Sequence, residues 1–363
     1  MATVSSTTEL MDFVAAMGGE RKLRVEERLG SGFVRLRVAE AERRQAKHDI
    51  RCVEDAVVEL LRNSRDAGAR HVYVAMGREG DVRTLVVLDD GEGIPEGLQE
   101  RVFEARVTSK LDTVHMDRWG IHGRGMALYS IRENALEAKV VASKEGGGCS
   151  IKACFDVREL AERADQSSWP ALGTDDDGVP SVVRGPHNVI RVCAEFALEE
   201  QGSCEVYLGS YAEIVATARR RARSDRTSAE LLFIEDLSEL PVLERLYVAA
   251  DAAELRDAAA SVGIELSERT CHRIVAGQIA PLASVYGKLS RSGGQDGATE
   301  EVDLVRDRRR RRLSKEDAAE FARIMERGFA FVADRYYLSL TAAPRVRLSG
   351  DRLVVTFPLE ESD

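Results

Sequence analysis

Residues 59–69 read Glu59-Leu60-Leu61-Arg62-Asn63-Ser64-Arg65-Asp66-Ala67-Gly68-Ala69. Positions i, i+4 and i+7 of a helix share one face, so Glu59, Asn63 and Asp66 are predicted to form a single polar stripe. The surrounding positions are largely apolar, and a helix that is apolar on most sides is normally buried. A buried carboxylate or amide needs a partner, which could be the backbone, a metal ion or a ligand. Taken alone, however, such a stripe more often marks a capped or solvated helix face.

Composition and charge limit what the protein can be. The chain has 363 residues, of which 44% are hydrophobic and 31% charged, as in ordinary globular proteins, and its length allows two or three domains. The net charge of −10 argues against a protein that binds nucleic acid or membrane surfaces over most of its own surface. It is still compatible with a local basic patch. The six cysteines include no C-x-x-C pair, so neither a disulfide framework nor a zinc site is expected. The sequence has no signal pattern and no apolar run of ~20 residues, so we expect a cytoplasmic protein with no membrane partner.

Hydrophobic periodicity predicts both helices and strands. The segment Ala39 to Ala67 has a helical pattern, contains no Gly or Pro, and is followed by a glycine, as helix ends often are. Val72 to Met76 and Leu85 to Leu88 are apolar or β-branched and predict a hairpin. The other predicted strands are Val140–Ser143, Ser150–Val157, Val189–Phe196 and Cys204–Leu208, the predicted helices include Met126–Ala135, Tyr211–Arg223 and Ser314–Tyr337, and a terminal hairpin is predicted from Arg345–Leu348 and Leu353–Phe357. Residues 165–188 have the composition of a loop.

Two glycine-rich segments follow the polar stripe. The first, Asp89-x-Gly91-x-Gly93, comes directly after a predicted strand, and the second, Gly120-x-x-Gly123-x-Gly125, opens a predicted helix. Taken separately, the first is most often a plain turn. The second is compatible with any helix start that binds an anion, or with no ligand. The order of all three features along the chain is therefore more informative than any one of them.

In that order and spacing, the three features resemble the GHKL ATPases, which include the gyrase B-subunit, the ninety-kilodalton heat-shock chaperone, the histidine kinases and MutL. Residues 59–69 are similar to the MutL N-box, Thr108-Ser109-Lys110 resembles a second MutL feature, and Gly120 to Ser130 is also similar to the topoisomerase VI B-subunit. The resemblance covers residues 50–155. It implies the GHKL (Bergerat) fold, a two-layer α/β sandwich in which helices cover one face of a mixed sheet. We accordingly expect an ATP-binding domain over residues 1–200.

The resemblance also implies roles for individual residues. Glu59 matches the general base that deprotonates the water attacking the γ-phosphate of ATP, and Asn63 matches the Mg²⁺ ligand. Asp66 is expected on the nucleotide side of the pocket. Asp89 matches the residue that accepts a hydrogen bond from the adenine amino group. A phosphoryl-transfer site needs this combination of metal ion, oriented water and clamped phosphates.

Further positions complete the expected nucleotide site. Gly91 and Gly93 would let the backbone pass close to the base. The amides of Gly120, Gly123 and Gly125 would form a lid over the phosphates, aided by the dipole of the following helix. Lys110 is a candidate phosphate contact, with a solvated surface lysine almost equally compatible. The other expected nucleotide-binding residues are Ile94, Thr108, Arg124 and Met126.

Two departures from the family pattern are visible. The family normally has a Gly-Thr pair ahead of a late strand, and the Thr helps to hold the adenine. The best match is His187-Asn188 before Val189 to Val192, which lacks the Thr, and Cys149 after Gly148 is a weaker candidate. The expected lid reads Gly-Ile-His-Gly-Arg-Gly instead of the Gly-Phe-Arg-Gly-Glu usual in MutL, which leaves the nearest relative open.

The second half is expected to hold a smaller α+β domain like the transducer of MutL, gyrase and topoisomerase VI, over residues 201–363 with a linker near 292–299. A transducer supplies a Lys to the γ-phosphate, and Lys288 is a candidate for it. Arg306 and the run Arg308-Arg309-Arg310-Arg311-Arg312 could contact DNA phosphates or could be a solvated junction. Residues 256–276 resemble a helix-turn-helix, although an ordinary helix pair is favoured.

The expected function is Mg²⁺-dependent ATP hydrolysis that drives conformational closure, in a MutL-like or topoisomerase-like action on DNA by an ATP-dependent homodimer. The first alternative is a module that senses nucleotide without hydrolysing it and regulates a partner protein. The second is a histidine kinase, because His48-Asp49-Ile50-Arg51 resembles a phospho-acceptor box. That box lies too close to Asn63 to leave room for the dimerisation hairpin of those kinases, and the presence of Glu59 and Asp66 favours a hydrolase.

Overall fold

The described part of the chain falls into two compact units. In the computed structural model these residues are 25–109, 115–117, 119–122, 125–163, 165–174, 179–222, 236–292, 321–329, 339–349 and 352–359. The units span Met1–Gln295 and Asp296–Asp363. The domain boundary expected near residue 200 falls within the first unit, and the division into an ATP-binding domain and a transducer-like region stays a prediction. Several predicted features lie outside the described residues, namely Lys110, Gly123, Arg124, Arg306, Arg308–Arg312 and, beyond Ser292, the linker.

Strands and helices of the first unit have the following bounds. The strands are β1 (Val25–Gly30), β2 (Phe33–Leu36), β3 (His71–Glu79), β4 (Val82–Asp89), β5 (Val107–Thr108), β6 (His115–Asp117), β7 (Gly120–His122), β8 (Glu137–Ser143), β9 (Cys149–Asp156), β10 (Ala171–Thr174), β11 (Pro180–Arg184) and β12 (Glu205–Ser210). The α-helices are α1 (Glu40–Asp49), α2 (Val53–Asp66), α3 (Ala127–Asn134), α4 (Val189–Glu199), α5 (Tyr211–Arg221), α6 (Val242–Val248), α7 (Ala252–Ser261), α8 (Glu268–Val275) and α9 (Val285–Ser292). Strands β10 and β11 pair as a hairpin inside the region that the composition marks as a loop.

Five strands form a mixed sheet in the order β12-β3-β4-β9-β8. Strand β12 runs parallel to β3, and the other neighbouring pairs are antiparallel. The predicted hairpin is therefore present as β3 and β4. In the register of β4 and β9, Asp89 stands opposite Cys149, so the end of one strand lies beside the start of the other. The α/β class and the mixed sheet are as expected.

Helices cover both faces of this sheet, whereas the resemblance implies helices on one face only. Alternate residues of a strand point to opposite faces, and all four residues from Val72 to Ala75 are buried. One face packs against α2, α4 and α9. The other packs against α5, α6, α7 and α8. The second layer comes from the second half of the chain, which is why a resemblance over residues 50–155 does not predict it.

The helix predicted over Ala39 to Ala67 is in fact two helices, α1 and α2. Ile50 ends the first with extended dihedral angles (φ −102°, ψ 106°), and Cys52 precedes the second with similar angles (φ −152°, ψ 166°). Cys52 forms a β-bridge with Ala161, and the amide of Val53 donates to the carbonyl of Ala161 at 3.1 Å. A contact with a distant part of the chain therefore breaks the helix, and no Gly or Pro marks the break.

The strand predicted over Val189–Phe196 is wrong, because this segment begins helix α4. Asn188 caps the helix, since its side chain accepts a hydrogen bond from the amide of Arg191 at 2.8 Å. The nitrogen of the same side-chain amide donates to the carbonyls of Asp165 and Ser168. The helix is buried on nearly all sides, so its sequence lacks the polar positions that would reveal a 3.6-residue period.

The second unit contains the predicted terminal hairpin. Its strands are β13 (Arg345–Ser349) and β14 (Arg352–Thr356), which pair antiparallel. Residues 321–329 are helical, and the rings of Phe329 and Phe357 stack with their centroids 4.9 Å apart. In the described ranges of both units, no helix is long and apolar enough to span a bilayer.

Candidate active site

A cavity of about 770 Å³ opens beside helix α2 and the end of strand β4. The polar stripe lines it, since Glu59, Asn63 and Asp66 all belong to its wall. The other predicted site residues in the wall are Asp89, Gly93, Ile94, Thr108, Gly125 and Met126. Gly91 packs against the backbone of Ala67, and Gly120 begins strand β7. The cavity therefore gathers residues that are far apart in the sequence but were assigned to one site.

Helix α2 presents the stripe to the cavity because its other side is buried against the sheet. The residues on that side, each no more than 1% exposed, are Val53, Ala56, Val57, Leu60 and Leu61. They belong to the same apolar cluster as the inward side chains of β3 and β4. Glu59, Asn63 and Asp66 are half-buried. The stripe thus lies at the boundary between the core and the cavity, as its spacing predicts.

Asp89 carries a buried carboxylate at the end of β4. Its Oδ2 accepts a hydrogen bond from the hydroxyl of Ser64 at 2.9 Å, and its Oδ1 accepts one from the amide of Gly91 at 3.0 Å. Burial raises the pKa of Asp89 to about 6, although these hydrogen bonds oppose the rise. The carboxylate is therefore ionised near neutral pH and suited to accept a hydrogen bond from a ligand N–H group.

Two glycines allow the backbone to close tightly around Asp89. Gly148 has a φ of +87°, and a Cβ atom there would lie 2.1 Å from the carbonyl oxygen of Asp89. Gly93 has a φ of +69°, and its Cβ would lie 2.0 Å from the carbonyl oxygen of Lys144. Both positions therefore require glycine. The amide of Gly148 also donates to the carbonyl of Gly91 at 2.9 Å, which ties the two turns together.

Cys149 begins a strand directly beside Asp89. Gly148-Cys149 leads into β9, and Cys149 lines the cavity. The pair His187-Asn188 leads into helix α4, so its match to the Gly-Thr pair of the family is wrong. Of the two candidates, Cys149 is therefore the one that begins a strand and lines the cavity.

Asn63 has unmet hydrogen-bonding capacity. Its Nδ2 is buried and has no partner among the described residues, although the side chain lines the cavity. The two ends of a side-chain amide have nearly the same shape, so either the oxygen or the nitrogen can face a ligand. Mg²⁺ in nucleotide sites is usually held by one or two protein oxygens together with substrate phosphates. An oxygen from Asn63 fits that pattern.

A network of charged side chains lies beside the stripe, and none of the sequence patterns predicts it. Arg62 donates from Nη1 to Oε1 of Glu59 at 2.7 Å and from Nε to Oδ2 of Asp117 at 2.8 Å. Arg65 contacts Asp117 at 3.3 Å and Asp66 at 3.1 Å. Arg62 and Asp117 are 55 positions apart, and no spacing rule connects them. The only signal in the sequence is the presence of two arginines in a helix that is otherwise largely buried.

Lys288, the candidate transducer lysine, is not among the described residues that line the cavity. Its Nζ lies over the ring of Trp169, 5.0 Å from the centroid. Burial lowers the pKa of Lys288. The structure therefore does not bring Lys288 together with the polar stripe.

Comparison with known proteins identifies relatives of this region. The family described as histidine kinase-, DNA gyrase B-, and HSP90-like ATPase matches residues 50–174. The DNA mismatch repair protein MutL of Thermus thermophilus is 47% identical over 83 residues, which are 23% of this chain and 15% of that protein. The MutL of Acidiphilium cryptum is 43% identical over 93 residues, or 25% and 16% of the two chains. The MutL of Thermodesulfovibrio yellowstonii is 40% identical over 87 residues, or 23% and 16%.

These similarities concern one region of each protein. The chain spans about 15% of the length of the curated relatives that it matches. The segment matched by the family, residues 50–174, contains helix α2, the β3–β4 hairpin, strand β9 and the three motifs of the predicted site. Within this α/β fold, the chain carries a GHKL-type, MutL-like ATPase domain of the histidine kinase-, DNA gyrase B-, and HSP90-like ATPase family.

Proposed function

We propose that the chain binds ATP with Mg²⁺ in the cavity beside helix α2 and hydrolyses it. The observation that carries the proposal is the presence, in one cavity, of Glu59, the partly unsatisfied amide of Asn63 and the buried carboxylate of Asp89. A volume of about 770 Å³ is typical of pockets that enclose a small organic ligand. The match of residues 50–174 to an ATPase family supports the same conclusion.

Asp89 is the proposed adenine contact. Its carboxylate would accept a hydrogen bond from the exocyclic amino group, while Ser64 and Gly91 keep the carboxylate in place from the protein side. Gly93 belongs to the same part of the wall, where a side chain would collide with the backbone. Cys149, which follows Gly148, would take the place that the family pattern usually gives to Thr. Ile94, beside Gly93, would contribute apolar contact to the base.

Glu59 is the proposed general base at the phosphate end. It lies one helical turn before Asn63, so the base and the proposed metal ligand share one face of α2. The carboxylate would take the proton of the water that attacks the γ-phosphate. Mg²⁺, when bound, would neutralise charge on the phosphates, and the side chain of Asn63 would hold it. Gly125 and Met126 line the cavity just before helix α3, whose first amides favour an anion.

The relatives named above are DNA mismatch repair proteins, and we extend the proposal to an ATP-driven action on DNA. By the same similarity, the active form would be a homodimer that closes when ATP is bound, and a cytoplasmic protein is part of the same proposal. Arg306 and Arg308–Arg312 lie outside the described residues and are the proposed contacts to DNA phosphates.

ATP turnover by the full chain with Mg²⁺, compared with Glu59→Gln, tests the proposal. Gln keeps the size of the side chain but removes the base, so we expect kcat to fall on the order of 100-fold or more while a non-hydrolysable ATP analogue still binds. Asp55→Asn is the matched control. Asp55 is a carboxylate one turn earlier on the same helix that is not among the described cavity residues. We expect its variant to turn over ATP normally.

The possible outcomes separate the alternatives. Failure of the wild type to bind nucleotide contradicts the proposal as a whole. Tight binding without turnover favours the nucleotide-sensing module, and normal turnover by Glu59→Gln removes Glu59 as the base. The same assay with added double-stranded DNA tests the wider proposal. Turnover that rises with DNA, and loses that rise as salt increases, supports an action on DNA, whereas no response limits the function to ATP hydrolysis.

A further inference from the structure

One guanidinium group connects the proposed base to a neighbouring hairpin. Arg62 donates from Nη1 to Oε1 of Glu59 at 2.7 Å. It also donates from Nε to Oδ2 of Asp117 at 2.8 Å and from Nη2 to Oδ1 of the same carboxylate. Asp117 ends strand β6, which pairs with β7. The carboxylate of Glu59 is thus linked to this hairpin through the side chain of Arg62.

The surroundings hold this side chain in place. The side chains of Arg62 and Asp117 are each 4% exposed. Asp117 also accepts a hydrogen bond from the amide of Trp119 at 3.0 Å and pairs with Arg65 at 3.3 Å. The ring of Trp119 covers Arg62, 5.7 Å from the centroid to the guanidinium carbon, and it stacks on Phe196. A side chain that is buried, doubly paired and covered by a ring has little freedom to reorient.

We propose that Arg62 is a positioning residue that fixes the carboxylate of Glu59 for proton transfer, with Asp117 as its anchor. The inference rests on the proposed function, in which Glu59 is the base. A guanidinium is planar and presents its donors in a fixed fork, so it binds Asp117 along one edge and Glu59 from another nitrogen at the same time. The hydrogen bond to Oε1 fixes the plane of the Glu59 carboxylate, and so it fixes the direction of the second oxygen.

Arg62 has two opposing effects on Glu59. Its positive charge lowers the proton affinity of the carboxylate, which weakens a base. Its hydrogen bond restricts the side chain, and the placement of a reacting group can change a rate by about 100-fold. Because Asp117 shares the guanidinium and neutralises part of its charge, the first effect is reduced while the second is kept. The net effect of Arg62 on turnover is therefore favourable.

The double variant Arg62→Gln/Asp117→Asn tests this role. It replaces both members of the buried Arg62–Asp117 ion pair by amides, so neither of these two residues is left as a buried charge without the other. We expect kcat to fall by about 10- to 100-fold. We expect the Kd of a non-hydrolysable ATP analogue to change by less than about threefold, since positioning of a base acts on the chemical step. Thermal unfolding of the same samples verifies that the fold is kept.

Rescue of the Arg62→Ala variant by free guanidinium distinguishes a positioning role from a purely structural one. Free guanidinium ion at millimolar concentration can occupy the space left by the side chain and restore part of its bond to Glu59. We therefore expect the turnover of Arg62→Ala to rise with guanidinium and that of the wild type not to rise. Arg62→Lys is expected to stay impaired, because one ammonium group does not reproduce the fork that holds both carboxylates.

Arg65→Gln is the matched control. Arg65 lies on the same helix and also pairs with Asp117, and its other described partners are Asp66 and Glu200. We expect its kcat to stay within about threefold of the wild type. A loss as large as that of the Arg62 variants would assign the effect to the hairpin as a whole and overturn the inference.

The two proposals fail in distinguishable ways. An active wild type beside an equally active Arg62→Gln/Asp117→Asn variant overturns the role of Arg62 and leaves the proposed function standing. A wild type that has no ATP turnover contradicts the proposed function, and the role of Arg62 falls with it.

Discussion

Asp89 is a carboxylate that the fold keeps out of water. Burial of a charged group costs several kcal/mol unless hydrogen bonds replace those to water. Ser64 and Gly91 supply two such bonds, and burial still raises the pKa of Asp89 to about 6. A ligand N–H group that donates to this carboxylate would stabilise its ionised form further. The physical chemistry of the residue therefore matches the adenine contact that we propose.

ATP binding is expected to weaken below about pH 6, because the adenine amino group needs an ionised acceptor at Asp89. The pKa of Asp89 in the folded protein without ligand is about 6. Below it, binding requires the loss of a proton, so the affinity should fall by about tenfold per pH unit. Isothermal titration calorimetry of a non-hydrolysable ATP analogue across this pH range measures the effect.

Asp89→Asn is the control for this prediction. Asn does not titrate, so the affinity of the variant for the ATP analogue, although lower than that of the wild type, should not fall further below about pH 6. His71 pairs with Asp90 at 2.7 Å, its pKa is raised, and it titrates in both proteins alike. If the affinity of the variant still falls below about pH 6, the titration belongs to another group.

The effect of pH on folding stability has the opposite sign. The raised pKa of Asp89 means that the folded state binds more protons than the unfolded state, so the contribution of Asp89 to folding stability decreases as pH rises from about 4 to about 6.

Residues that would touch the ligand were easier to predict than residues that hold them. Glu59, Asn63 and Asp89 belong to a family pattern that fixes both residue type and spacing, and the structure places all three in one cavity. Arg62 and Asp117 are 55 positions apart and meet only after helix α2 has packed beside the β6–β7 hairpin. No local rule connects such a pair, so it could not be read from the sequence.

Elements with a local pattern were predicted, and elements whose ends depend on distant contacts were not. The β3–β4 hairpin has apolar runs separated by a turn, and it is present. The break between α1 and α2 depends on the bridge from Cys52 to Ala161, which lies far along the chain. Helix α4 is buried on nearly all sides, so its apolar run has the appearance of a strand.

Gly148→Ala is expected to destabilise the protein more than Gly146→Ala does. Both glycines have positive φ, +87° and +70°, so an alanine at either position costs about 1–2 kcal/mol of backbone strain. At Gly148 the new Cβ would also lie 2.1 Å from the carbonyl oxygen of Asp89, whereas at Gly146 nothing lies within 4 Å. We expect the collision to add about 1–3 kcal/mol to the free-energy cost.

Urea unfolding of the two variants measures this difference directly. The two substitutions lie in the same turn between β8 and β9, so they share the loss of glycine freedom and differ mainly in the collision. Equal free energies of unfolding would mean that the turn moves to accommodate a methyl group and that its closeness to Asp89 is not required.

In the first unit, the five-stranded sheet supplies part of the cavity wall and also packs against helices α5 to α8 from the second half of the chain. The amide of Val242 donates to the carbonyl of Gly147 at 2.8 Å, next to the turn that approaches Asp89. The hydroxyl of Ser150 donates to the carbonyl of Val262 at 2.7 Å. These bonds connect the wall of the cavity to helices α6 and α7. The compact unit accordingly extends to Gln295.

A chain that ends at residue 200 is expected to fold poorly, whereas one that ends at Gln295 is expected to fold. The shorter chain lacks β12 and the helices of the second layer, so it exposes apolar side chains such as Tyr73, Ala75 and Val86. Each Å² of apolar surface returned to water costs about 25 cal/mol. Circular dichroism and thermal denaturation compare the two chains. Cooperative unfolding of the shorter one would support the domain boundary expected from the family pattern.

Trp119 lies where the cavity, Arg62 and helix α4 meet. Its ring belongs to the cavity wall, covers the guanidinium that binds Glu59, and stacks on Phe196. The chain has one other tryptophan, Trp169, which lies beside Lys288. Indole emission responds to nearby charge and to water, and here the two indoles have different surroundings. The protein thus carries an intrinsic fluorophore at its proposed phosphate end, where binding and turnover can be followed by light without any attached label.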